Sequence, residues 1–142
     1  GFCRPDGMDG ARVIFEKAED HKNYKVTEGL LDTVYESLGD GGDTLTLHKE
    51  LFSVDAVVLP EIVSRSLTLV SADGSRKIKV EFPDFEHLLI WQVCGADYVC
   101  IEPWSGLPDI YGGKSFAIEE KESITALRAG NSLSFRHKIS IL

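Results

Sequence analysis

The sequence predicts an all-β protein built as an antiparallel sandwich, and two observations carry that expectation. Short segments with period-2 apolar alternation recur along the 142 residues, separated by clusters of Gly, Asp, Asn, Ser and Pro. No sustained 3.6-residue apolar period of helical length competes with them. The length suits one ordinary domain, and a hydrophobic content of 43% is enough to bury a moderate core. Such a composition argues against disorder.

Taken in order, residues 11–16 read as a strand, with Val13 and Phe15 alternating with Arg12 and Ile14. A polar stretch follows over 17–27, and 30–38 fits a strand or a helix equally. Gly39-Asp40-Gly41-Gly42-Asp43 is a turn. Alternation resumes over 44–48, and the apolar run Ala56-Val57-Val58-Leu59 has the length of a buried strand. The clearest local unit is a hairpin over 66–82. Leu67 and Leu69 alternate on one arm and Ile78, Val80 and Phe82 on the other, around Asp73-Gly74, a favoured turn pair. Further strands are expected over 88–93, 98–102 and 133–141. His137 falls on the polar side of the last and reads as a solvated strand residue.

The chemistry-bearing stretch is Tyr98-Val99-Cys100-Ile101-Glu102-Pro103-Trp104-Ser105-Gly106-Leu107-Pro108-Asp109. Strand alternation places Tyr98, Cys100 and Glu102 on one face and Val99 and Ile101 on the other. Pro103 has no N–H for a ladder and favours an extended residue before it, so the strand is expected to end at Glu102. That would leave a carboxylate on a rigid scaffold beside a loop-built rim. An ordinary edge-strand glutamate before a turn satisfies the same pattern.

This stretch resembles the aldose 1-epimerase (galactose mutarotase) family, and within it the LacX-type bacterial branch. The matching residues are Val99-Cys100-Ile101-Glu102-Pro103-Trp104, with Gly106 and Asp109 behind them. Weaker matches are Leu51-Phe52 with Asp55-Ala56, Arg65-Ser66-Leu67, Phe85 with Ile90-Trp91, and Leu127-Arg128-Ala129-Gly130 before the final strand. The resemblance implies a galactose-mutarotase-like β-sandwich of which residues 1–142 form the C-terminal portion of the supersandwich, the N-terminal half lying outside this chain. In the LacX-type branch a His-Pro pair directly precedes a segment like Gly1-Phe2-Cys3-Arg4-Pro5, which would put the family's acid histidine just upstream of Gly1. Half of such a sandwich would leave sheet edges and a core face open. The missing half or self-association is therefore the expected macromolecular partner.

The implied activity is mutarotation, the interconversion of α and β anomers of a free aldose such as galactose or glucose. One group takes the proton of the anomeric hydroxyl while another protonates the ring oxygen, and the ring opens and recloses. The resemblance makes Glu102 the base and the upstream histidine the acid, with no metal, nucleotide or flavin, so the 142-residue chain alone is expected to be inactive. It also implies substrate-binding roles for Asp55, accepting hydrogen bonds from sugar hydroxyls, and for Trp104, stacking on the apolar face of a pyranose. A turn aspartate and a tryptophan packed on the sandwich rim are the structural alternatives. Arg65 reads as a structural ion-pair partner.

Composition narrows the remaining classes. A net charge of −8 with no basic run argues against nucleic acid and suits a cytoplasmic protein handling a neutral sugar. Cys3, Cys94 and Cys100 are odd in number and lack metal-ligand spacing to His, so neither a disulfide framework nor a structural zinc site is expected and a reducing compartment is favoured. No apolar run approaches the roughly 20 residues of a membrane span. Gly112-Gly113-Lys114-Ser115 lacks the first glycine of a phosphate loop. Two other classes fit the same fold: a non-catalytic carbohydrate-binding or regulatory protein, and an accessory domain of a polysaccharide lyase or hydrolase. A histidine upstream of Gly1 would favour the enzyme, and another residue there the binder.

Overall fold

Among the described residues, ten strands form two five-stranded sheets, with the apolar side chains of one face of each turned toward the other. The structure is a computed structural model that describes residues 8–53, 55–93, 96–114, 117–121 and 123–142. The strands are β1 (Arg12–Glu19), β2 (Lys22–Thr27), β3 (Leu30–Ser37), β4 (Gly42–Thr46), β5 (Val57–Leu59), β6 (Ser66–Val70), β7 (Lys77–Glu81), β8 (His87–Trp91), β9 (Cys100–Trp104) and β10 (Lys138–Ile141). The first sheet runs β10-β7-β6-β1-β4 and the second β3-β2-β5-β8-β9. Each strand pairing within them is antiparallel, as the alternation predicts.

The core between the sheets is made by the odd members of one alternation and the even members of another. Val13, Phe15, Leu67, Leu69 and Val80 come from the first sheet, and Val57, Leu59, Leu88 and Ile90 from the second. The expected hairpin is present: Leu67 pairs with Val80 and Leu69 with Ile78. Asp73 closes its turn by accepting from the Ser71 and Ser75 hydroxyls and the Ser75 N–H. Gly74 supplies the positive φ of 74° that the turn needs.

Several boundaries differ from the sequence expectation. The polar 17–27 stretch is mostly strand: β1 continues to Glu19 and β2 begins at Lys22. Its polar residues are tolerated because that end of β1 is largely exposed and β2 turns one side outward. The ambiguous 30–38 segment is strand β3. The Glu102 strand does not stop before Pro103; it runs through it to Trp104. β9 is the edge of its sheet, so a residue without an N–H costs no ladder bond on the open side. The last strand is shorter than the alternation suggests, because only Lys138–Ile141 pair with β7. Residues 131–137 are not in a ladder, and Arg136 anchors them through a bidentate pair with Asp84 at 2.9 Å. Cys3 and Cys94 lie outside the described residues, as does Ser115. Among the described residues no helix is long and apolar enough to cross a membrane.

Candidate functional site

The second sheet is apolar on both faces, and its outer face carries the candidate site. Leu88 and Ile90 of β8 point into the core between the sheets, so Leu89 points away from it, into a separate cluster with Leu31, Ala56 and Val58. Tyr24, Val26, Trp91, Trp104 and Leu107 pack against that cluster. β9 pairs with β8 along its length: His87 with Trp104, Leu89 with Glu102, and Trp91 with Cys100. Opposite residues in an antiparallel pair share a face, so Glu102 lies on the outer face, directly across from Leu89. It occupies the middle of β9 rather than the strand end expected from the proline.

Glu102 and Trp104 meet. The Trp104 indole Nε1–H donates to Glu102 Oε2 at 3.3 Å. Cys100 flanks the carboxylate on the other side; burial pushes its thiol up from the ordinary value, and the charge of Glu102 adds to the shift. Trp91 and Tyr98 extend the aromatic surface, with ring centroids 6.3 Å apart.

His87 belongs to the same face, although no sequence motif marks it. It lies across from Trp104, and its side chain is 4% exposed. The Glu61 N–H donates to its Nδ1 at 3.0 Å, which assigns the proton of the neutral ring to Nε2. Burial holds the imidazole below its ordinary value of 6.5, against a smaller upward pull from Glu86 and Glu61. The signal available was its place in the His87-Leu89-Trp91 alternation, although the partner Glu61 is far away in sequence.

Asp55 is not in contact with this pair. It lies two residues before the start of β5, in a local bend where its Oδ1 accepts from the Ala56 N–H at 2.7 Å. Val58 pairs with Leu89 and Leu89 with Glu102, so Asp55 stands two strands over and three residues along. Strand spacing and rise then give a Cα separation of roughly 14 Å. Asp55 lines a cavity of about 260 Å³ with Asn23, Lys25, Val26, His48 and Glu50. Asn23 Oδ1 accepts from the Val58 N–H at 2.8 Å, tying β2 to β5 beside this cavity. Arg65 donates to the carbonyls of Ile62 at 2.6 Å and Ser64 at 2.9 Å, so its guanidinium serves the local backbone where the sequence suggested an ion pair.

The chain leaving β9 roofs part of the outer face. Ile110 forms a parallel bridge with Leu31 on the far edge strand, with the Leu31 N–H donating to the Asp109 carbonyl and the Tyr111 N–H to the Leu31 carbonyl. Between β9 and β3 lie four strand spacings, roughly 19 Å in a flat sheet, which six residues cover only when nearly extended. The link is a strap with little slack. Beneath its far end is a cavity of about 480 Å³ lined by Tyr24, Leu31, Pro60, Leu107 and Asp109. Lys121 also lines it and pairs with Asp109 at 2.6 Å.

The architecture defines a class of protein: a galactose mutarotase-like β-sandwich. A crystal structure of a galactose mutarotase-like protein from Lactobacillus casei ATCC 334 superposes with a TM-score of 0.84 and 24% identity, over 99% of this chain and 49% of that one. In sequence, the plasmid and chromosomal forms of Protein LacX from Lactococcus lactis subsp. lactis are each 32% identical over 100 residues, 70% of this chain and 33% of theirs. The chain is thus similar in sequence to Protein LacX over 100 residues and has a galactose mutarotase-like fold. It spans about a third of the length of the curated relatives it matches. No protein-family model matches the chain.

Proposed function

We propose that this chain carries the base-bearing part of an aldose 1-epimerase-like site that interconverts the anomers of a free aldohexose. The observation that carries the reading is Glu102 itself. It is half-buried on the apolar outer face of the second sheet, fixed in mid-strand, with one oxygen held by Trp104. A carboxylate so placed can accept the anomeric proton without first paying to order its side chain. Residues 1–142 are then the C-terminal part of one domain. The acid histidine enters from the segment preceding Gly1, and the rest of the sandwich covers exposed apolar residues such as Ile118, Leu127 and Leu133. In this reading Asp55 would hold a sugar hydroxyl and the Trp104 ring would stack on the pyranose.

Polarimetry of freshly dissolved α-D-glucose and α-D-galactose tests this reading on the full-length protein. Glu102→Gln keeps the shape and removes the charge, so kcat should fall by about 10²–10⁴ with sugar binding largely retained. Asp55→Asn should act mainly on KM. The 142-residue chain alone should show little activity, since one partner of an acid–base pair is insufficient. Full activity in Glu102→Gln would reject the base assignment.

A second reading rests on the aromatic surface of Tyr24, Trp91 and Trp104, which suits a sugar ring without any chemistry. Sugar binding that survives in a full-length protein with no mutarotation would establish that carbohydrate-binding role instead.

A further inference from the structure

We propose that Trp104 is a positioning residue for Glu102, its indole N–H anchoring Oε2 so that Oε1 faces the open side of the sheet. The inference rests on the mutarotase reading for its consequence and on local geometry for its existence.

The two side chains share a face by strand alternation, and five consecutive pairs with β8 fix the register that puts them there. Between them stands Pro103, whose ring restricts φ, so Glu-Pro-Trp is a stiffer unit than three ordinary strand residues. Indole Nε1–H is a donor only, and a half-buried donor needs an acceptor. Here that acceptor is Glu102 Oε2, at 3.3 Å. The indole cannot swing away freely, because its ring packs against the outer apolar cluster.

The carboxylate is therefore held asymmetrically. Oε2 is committed to Trp104, while among the described residues Oε1 has no hydrogen-bond partner. Leu89 across the ladder offers no polar group, and Cys100 offers only a weak S–H donor. A base with one oxygen anchored and one free is oriented before the substrate arrives, and orientation errors of an ångström can cost about 10² in rate. The anchor uses the indole N–H alone, so this role adds to stacking by the ring without replacing it.

Trp91 and Trp104 are the two tryptophans, so ¹H–¹⁵N spectra of the full-length protein give one indole resonance from each within this segment. Trp104→Phe assigns its own by loss. In Glu102→Gln and Glu102→Leu the Trp104 indole proton should move upfield while that of Trp91 stays in place, reporting an intact fold. An unmoved Trp104 resonance in both variants overturns the inference. In kinetics, Trp104→Phe keeps an aromatic ring and removes the N–H, so kcat should fall roughly tenfold or more with KM nearly unchanged. A raised KM with unchanged kcat would make Trp104 a stacking platform alone and overturn the positioning role. If Glu102→Gln retains full kcat, the mutarotase reading fails instead, and the indole resonance separately decides whether the anchor exists.

Discussion

Two strand glutamates, Glu19 on β1 and Glu102 on β9, show how one residue type serves structure in one region and is available to chemistry in another. Glu19 is 9% exposed and has no free side: Oε1 accepts from the Ser64 N–H at 2.7 Å and Oε2 from the Val63 N–H at 3.0 Å. These two backbone donors belong to the link between β5 and β6, which crosses from one sheet to the other. Their bonds to a carboxylate replace a ladder the loop cannot make. Glu102 is half-buried, accepts a single side-chain donor and keeps an oxygen without a partner among the described residues. A saturated carboxylate cements a crossover; an unsaturated one on an open face can take a proton.

The strongest challenge to that contrast is Glu19→Ala. It strands two backbone N–H groups and should destabilise the full-length protein by about 3 kcal/mol in urea unfolding, while kcat per folded molecule stays unchanged. Glu102→Gln should do the opposite, shifting stability by less than about 0.5 kcal/mol. A loss of stability in Glu102→Gln as large as in Glu19→Ala would erase the distinction.

Gly41→Ala probes the Glu19 end more gently. Gly41 has φ +76°, and a Cβ there would meet the Glu19 carbonyl oxygen at 2.7 Å. Backbone against backbone has little room to yield, so the variant should lose about 1–3 kcal/mol. Unfolding midpoints equal to wild type would show that the β1 end is not held as described.

His87, behind Trp104, sharpens the Glu102 end through pH. Its folded value lies below the ordinary 6.5, so the unfolded chain binds the proton first. Stability should be unaffected above that value and decline as pH falls through about 6.5 toward the lower folded value, by at most about 1.4 kcal/mol per pH unit. In His87→Gln, which can still accept the Glu61 N–H, the decline over that range should flatten. An unchanged slope would remove His87 from the acid response.

The smallest effect is expected at Asp84, whose carboxyl is held below the usual carboxylate range by hydrogen bonds from the Arg136 side chain. That contribution is present above the unfolded carboxylate value and is lost as pH falls through the lower folded one. Both groups are exposed enough for solvent to screen the pair. Asp84→Asn should leave global stability nearly unchanged but speed amide exchange at Arg136, whose N–H donates to Asp84. Unchanged exchange would show that the pair does not tether 131–137.

Features that depend on neighbours along the chain were legible in the residues alone. Alternation identified the hairpin over 66–82 and the sidedness of Ile101 against Glu102, and Asp73-Gly74 marked the turn. The Glu-Pro-Trp block supplied the resemblance that the fold and the LacX homology support. Tertiary structure decided what depends on partners distant in sequence. Period 2 says which residues share a face but not which face is closed by another sheet; Leu89 and Leu88 look alike until β6 and β1 cover one of them. Pro103 reads as a stop because a ladder needs its N–H, and only the place of β9 at an edge removes that need. Residues 133–137 alternate like a strand but carry no ladder, since alternation cannot report whether a neighbouring edge is within reach. Glu19 gave no signal, because the donors that saturate it lie 44 and 45 residues away and meet it only when the two sheets close.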